Sequence, residues 1–108
     1  MIVATTETIV GKKVVRTLGL VRGNAVRARH IGRDLMAALR NLVGGEIPEY
    51  TKLIAEAREQ ALDRMVEEAH ELGAGAVLGV RFSTSELTRG AAELLAYGTA
   101  VELADDQD

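Results

Sequence analysis

Two histidines, no cysteine and a scatter of carboxylates define the chemistry open to this chain of 108 residues. His70 ends the run Glu67-Glu68-Ala69-His70 and precedes Glu71. A Glu-x-x-His step places a carboxylate and an imidazole on one helix face, as carboxylate-bridged di-metal bundles do. Such centres need a second motif of the kind and carboxylates from further helices, and one chain supplies neither. His30, between Arg29 and Ile31, belongs to a different element. A metal centre built from His30, Glu67, His70 and Glu71 would therefore need related copies of the chain to complete it. Imidazole and carboxylate suit divalent zinc, copper or nickel, whereas soft heavy metals prefer the thiolate that is absent here. The simpler reading makes His70 a last-turn residue meeting the negative end of the helix dipole, and His30 a loop or subunit-contact residue.

Nucleophilic and phosphate-binding patterns are weaker. Ser83 and Ser85 lack a Gly-x-Ser-x-Gly elbow and any sequence sign of a partner base. Gly73-Ala74-Gly75 precedes an expected strand, and Gly44-Gly45-Glu46 is not followed by the Lys-Ser/Thr of a Walker loop. One anion site is open to the spacing: the amino end of the helix that follows Gly44 and Gly45, with Lys52 or Arg58 as counter-charge. Glu46 and Glu49 compete for the same backbone donors. These residue types point to a binding or structural protein and not to an enzyme.

Such groups are only as useful as the elements that hold them. Pro48 and Glu49 begin, and Gly73 ends, a long helix with Tyr50, Leu53, Ile54, Ala57, Ala61, Met65, Ala69 and Leu72 on one face. The apolar arc from Leu53 to Val66, with Leu62 to one side, exceeds the stripe of roughly 100° that one sheet requires, so a second buried contact is expected from another subunit. Ahead of this helix, Leu35, Met36, Leu39 and Leu42 predict a short helix between Ile31 and Val43. Strands are predicted over Ile2 to Thr6 and Val14 to Val21, joined as an amino-terminal β-hairpin through Gly11-Lys12-Lys13 and closed by a turn at Gly23-Asn24. Gly19 suggests a bulge or a close backbone approach. Two antiparallel strands follow, Ala76 to Ser85 and Ala91 to Leu103. Ala76, Leu78, Val80 and Phe82 are expected on one face of the first, and Leu94, Ala96, Gly98 and Ala100 on one face of the second. Because both alternating sets are apolar, both faces of the sheet are expected to be covered, one by helices and one by something outside the monomer.

The whole chain, residues 1–108, reads as one α+β domain, with 104–108 a solvated, disordered tail. A hydrophobic fraction of 47% and a charged fraction of 27% are those of a globular domain, and no apolar run reaches the roughly 18 residues of a membrane span. Met-Ile-Val-Ala-Thr-Thr-Glu shows neither a basic nor a long apolar leader region, so a cytoplasmic location is expected. Through Arg40 eight basic residues face two acidic ones, for +6, and the remainder holds five basic and fourteen acidic, for −9. Oppositely charged portions pack on one another, within one subunit or head to tail between subunits. With 3% aromatic residues the stacking platforms of single-strand binders are missing, and nucleic acid is not the expected partner.

Taken together, Gly44-Gly45, Tyr50, Ala57-Arg58, Leu72-Gly73-Ala74, Ala76-Val77-Leu78-Gly79-Val80-Arg81 and Ala96-Tyr97-Gly98-Thr99-Ala100-Val101 resemble the YbjQ-like family of small bacterial proteins, also called "putative heavy-metal-binding domains". The likeness runs from about Thr5 to Leu103. It implies a dodecin-like subunit with an added amino-terminal hairpin, and a homo-oligomeric ring, a pentamer. No catalytic residue is carried over. Arg58 matches the family pattern and is expected to pair with an acidic residue across an interface.

Overall fold

The computed structural model describes residues 1–28, 48–88 and 91–106. Among the described residues four strands, β1 (Ile2–Val3), β2 (Lys12–Ala28), β3 (Ala76–Thr88) and β4 (Ala91–Asp105), form one mixed sheet in the order β1-β3-β4-β2, and one helix, α1 (Pro48–Glu71), lies against it. The short helix expected between Ile31 and Val43 lies outside the described residues.

α1 begins at Pro48, as expected, and ends in a Schellman turn. Gly73, at φ +77°, donates its N–H to His70 O at 2.9 Å, and Ala74 donates to Ala69 O at 3.0 Å. The helix rests over β2 and partly over β4, hardly reaching β3. Ala57, Ala61, Met65 and Ala69 are fully buried there, on Val21, Ala25, Val77, Leu94 and Ala96. Leu62 and Val66, on the wide flank of the arc, pack partly buried against this same core. The second contact expected from another subunit is thus supplied for these two by the chain's own sheet. Leu72 is 43% exposed and not part of the buried stripe.

The amino-terminal hairpin does not form. β1 pairs in parallel with β3 (Ile2↔Ala76, Val3↔Val77), while β2 pairs antiparallel with β4, so the two lie on opposite sides of the β3–β4 pair. Nor does Gly23-Asn24 turn the chain, since β2 continues to Ala28. Gly23 serves as a contact point: a Cβ there would lie 2.2 Å from Ala61 O and 2.4 Å from Met65 N. The helix backbone sits directly on this glycine. The expected bulge at Gly19 is present, between the Thr17 and Gly19 pairings.

A further bulge corrects the expected alternation in β3. The register with β4 shifts between Leu78 and Arg81, and Gly79 sits at φ +64°, a conformation side chains other than glycine's rarely adopt. The extra residue moves Val80 to the helix side with Val77 and leaves Leu78 on the other face. In β4 the set Leu94, Ala96 and Ala100 does face the helix, as the alternation predicts.

The second face, expected to be covered from outside the monomer, is covered in part by the same chain. Ala76, Leu78 and Val101 are buried beneath Ala4, Ile9 and Leu103. Ala4 donates to Val77 O and accepts from Val80 N, both at 3.0 Å, and Gly79 N donates to Thr6 O at 2.9 Å, which pins the amino-terminal segment along β3. The segment then crosses to β2, where Lys12 N donates to Ile9 O at 3.1 Å.

The carboxyl-terminal strand runs through Ala104 and Asp105, where the sequence predicts the start of a solvated tail. Asp105 lies opposite Lys12, and the Lys12 ammonium hydrogen-bonds its carboxylate. The Lys12 hydrogen bond and then its charge hold the Asp105 carboxyl below the ordinary value. A carboxyl depressed by folding contributes stability that is present above its unfolded pKa and is lost as pH falls through the folded one. Lys12→Met should return the Asp105 titration, followed by carboxyl-carbon NMR, to the ordinary carboxylate range. An unchanged midpoint would show that Lys12 is not the cause.

Candidate functional site

The residues singled out for chemistry are placed apart. His30, Gly44, Gly45 and Glu46 lie outside the described residues. Glu67, His70 and Glu71 occupy the last turns of α1 with exposed side chains, and Lys52 and Arg58 are exposed on the same helix. Among the described residues no group of three or more His, Asp or Glu is arranged to hold a metal ion. The i, i+3 and i, i+4 spacing of Glu67, His70 and Glu71 puts them on neighbouring, exposed positions of the helix end.

A concave feature lies elsewhere, on the sheet face opposite the helix. Where the amino-terminal segment crosses from β3 to β2 it leaves a cleft of about 350 Å³, lined by Glu7, Val14, Thr17, Leu78, Gly79, Thr99 and Val101. Register explains the composition. Val101 stands opposite Thr17, and Thr99 stands opposite both Leu20 and Leu78, so alternate residues of three strands meet on one surface. Val14, Leu78 and Val101 give an apolar floor, while the Thr17 and Thr99 hydroxyls and the Glu7 carboxylate give polar groups. A side chain on Gly79 would meet nothing within 4 Å, so the glycine leaves the wall open as well as turning the bulge.

Beyond this cleft the face carries exposed side chains. Leu20 is 65% exposed, Val26 49% and Tyr97 36%, and on the helix side of β3, where α1 does not reach, Phe82 is 43% exposed. Nothing in the spacing of Glu7, Thr17 and Thr99 along the chain marks them as neighbours. Only pairing register, with the Gly79 bulge, brings them together.

A family model described as "Putative heavy-metal-binding" matches residues 1–104. Among curated relatives, a UPF0145 protein of Methanosarcina acetivorans is 56% identical over 95% of this chain and 97% of its own length. One of Halorubrum lacusprofundi is 60% identical over 95% and 99%, and one of Thermus thermophilus 56% over 95% and 90%. The first two organisms are archaea, so relatives extend beyond the bacteria that the sequence resemblance implied. A solved structure from Pediococcus pentosaceus, titled a protein of unknown function of the DUF74 family, superposes with a TM-score of 0.65 over 96% of this chain and 98% of that one. At 15% identity it bears on the fold alone. Among the described residues no helix is long and apolar enough to cross a membrane. With a family model matched over nearly its whole length and curated relatives more than half identical to it, the chain belongs to the YbjQ-like, UPF0145 family.

Proposed function

We propose that the chain is a non-catalytic, cytoplasmic protein that assembles into a ring, its dodecin-like subunits joined head to tail through their sheet edges. The observation that carries this reading is the strand order. β2 is an edge strand of 17 residues, and beyond β1 the free side of β3 continues from Arg81 to Thr88, with no further strand beside either among the described residues. Long unpaired edges are templates for another chain. The edges lie on opposite sides of one sheet, so pairing β2 of one copy with β3 of the next is a heterologous contact, which gives a ring if the rotation closes. Five copies is the number the family resemblance implies.

Shape supports the same reading. The radius of gyration is 18.0 Å and the extents are 61 × 25 × 16 Å, whereas a compact domain of 100 residues has a radius near 13 Å. A plate this thin leaves apolar side chains such as Leu20 and Val15 in water until something covers them. A binding or scaffolding role, in place of catalysis, agrees with a family description that names a binding property and no reaction. If metal is bound, ligands from neighbouring copies would have to meet.

Sedimentation velocity at micromolar concentration tests the assembly. The expected mass is a multiple of 11.6 kDa, fivefold for the pentamer. A single species at 11.6 kDa would remove the proposal.

A further inference from the structure

The helix is set off-centre on the sheet, and the offset leaves an aromatic ring bare. Gly23 of β2 and Phe82 of β3 both stand opposite Ala96 of β4, and opposed residues of an antiparallel pair project to the same side. The row Gly23–Ala96–Phe82 therefore lies on the helix side, where Ala96 is fully buried. α1 sits with its backbone directly on the first of the three, since a Cβ on Gly23 would lie 2.2 Å from Ala61 O. Its axis thus runs above the edge strand and not above the middle of the sheet. The cover ends within the row. Ala96 and Leu94 of β4 are buried, whereas Phe82 and Thr84, which stand opposite them on β3, are exposed, as is Glu86 after them.

A helix with its side chains is about 10 to 12 Å across, and neighbouring strands lie about 4.8 Å apart. Centred on β2, such a helix covers β4 on one side and reaches about one strand spacing past the free edge on the other. At about 100° per residue, Leu62 and Val66 fall on one flank of the buried line Ala57–Ala61–Met65, and Leu53, Gln60 and Arg64 on the opposite flank. Leu62 and Val66 pack against the core, whose sheet residues beyond β2 belong to β4 and β3. The Leu53 flank is left on the open side of β2, and Arg64 from it donates to Asn24 O of that strand. Leu53, one end of the apolar arc that is too wide for one sheet, is only half-buried.

The overhang and the bare ring are complementary. The space beneath the overhang is one strand wide, and the next copy's β3 enters it when β2 and β3 pair edge to edge. A sheet continued through that seam keeps its faces, so Phe82 arrives on the side that the overhang covers. We infer that Phe82 of each copy is seated beneath the outer flank of a neighbouring copy's α1, against Leu53, Gln60 and Arg64. Leu53 gives the ring an apolar contact, and a guanidinium such as that of Arg64 stacks on aromatic faces. A second copy is the occupant that brings both a strand for the edge and an aromatic ring on the right face of it.

This inference rests on the edge-to-edge reading, and its test separates the two. Sedimentation velocity over a dilution series compares the parent chain with Phe82→Ala, an exposed substitution whose fold is checked by circular dichroism. The variant should dissociate at a concentration about tenfold higher or more, as truncation of an anchoring interface residue does. A parent that is monomeric at every concentration removes the ring and this contact together. A parent that assembles, beside a variant that dissociates at the same concentration, leaves the ring standing and overturns the contact. Because the chain has no cysteine, introduced pairs report alone. Phe82→Cys combined with Leu53→Cys, Gln60→Cys or Arg64→Cys should, for at least one of the three pairs, give on oxidation a denaturing-gel ladder in steps of 11.6 kDa. No ladder from any pair, disulfides formed only within one chain, or dimers from Phe82→Cys alone would seat Phe82 elsewhere and overturn the inference.

Discussion

Gly23→Ala should lower the unfolding free energy by about 3 kcal/mol, the upper end of the usual cost of overpacking. The added carbon would sit 2.2 Å from Ala61 O, 2.4 Å from Met65 N and 2.7 Å from Arg64 Cβ. Two of these are helix backbone atoms, so no rotamer change relieves the clash, and α1 must lift from β2 along the turn that seats Met65 and Ala61. Lifting also strains the hydrogen bond from the Arg64 guanidinium to Asn24 O. Gly75→Ala is the control, since a Cβ there meets nothing within 4 Å. It should stay within about 0.5 kcal/mol of the parent, as surface substitutions do. Urea unfolding midpoints measure both, and equal midpoints for the two variants would mean that the helix does not rest on Gly23.

Met65→Ala should cost about as much, roughly 3 kcal/mol within the 2 to 5 usual for truncating a buried Met or Leu. Met65 is fully buried and among the largest such side chains in the core. Around it on the helix stand Ala57, Ala61 and Ala69, whose methyl groups are too short to fill the space it would vacate. The midpoint in urea should fall with little change in slope. Leu72→Ala, on a residue that periodicity alone assigns to the same stripe, should have a small effect because Leu72 is already 43% exposed. Similar losses in the two variants would contradict the packing described here. Against a total stability of roughly 5 to 15 kcal/mol, either core variant is a large perturbation.

How much of this was legible in the sequence depends on whether the signal was local. The long helix was legible because its start, stop and apolar period all reside in consecutive residues from Pro48 to Gly73. The last two strands were legible as two apolar runs set off by Gly73 and Gly90, although the alternation misplaced the faces of the first. The amino-terminal hairpin was not, because strand propensity says what Ile2 and Val3 can form but not what they pair with, and their partners Ala76 and Val77 are distant in the chain. Gly23-Asn24 has the composition of a turn, yet the glycine answers to a helix that arrives much later in sequence. Gly79 hides the true faces of β3 for a related reason: one left-handed residue reverses the parity of everything after it.

The same logic explains the candidate site. Residue types drew attention to His70, Glu67 and Glu71, which are neighbours on a helix but face solvent together. Thr17, Leu78 and Thr99 share no local spacing, and only the pairing of β2 and β3 with β4 brings them to one cleft. Of the oppositely charged portions expected to pack together, the described residues bring β2 against β4, where Lys12 pairs with Asp105 and Arg16 with Glu102. β2 carries Lys12, Lys13, Arg16, Arg22 and Arg27 without an acidic residue, and the acidic helix lies over it.

Edge-to-edge assembly has a direct signature in the backbone. Alternate amides of an edge strand point away from its partner and exchange with water unless another strand covers them. Residue-resolved hydrogen exchange over Lys12–Ala28, compared at high protein concentration and after dilution, reads this edge directly. Slow exchange at the amides that point away from β4, lost on dilution, is the expected outcome. Rapid exchange of those amides at every concentration, beside protected amides facing β4, would show that β2 remains a free edge and that subunits do not join there.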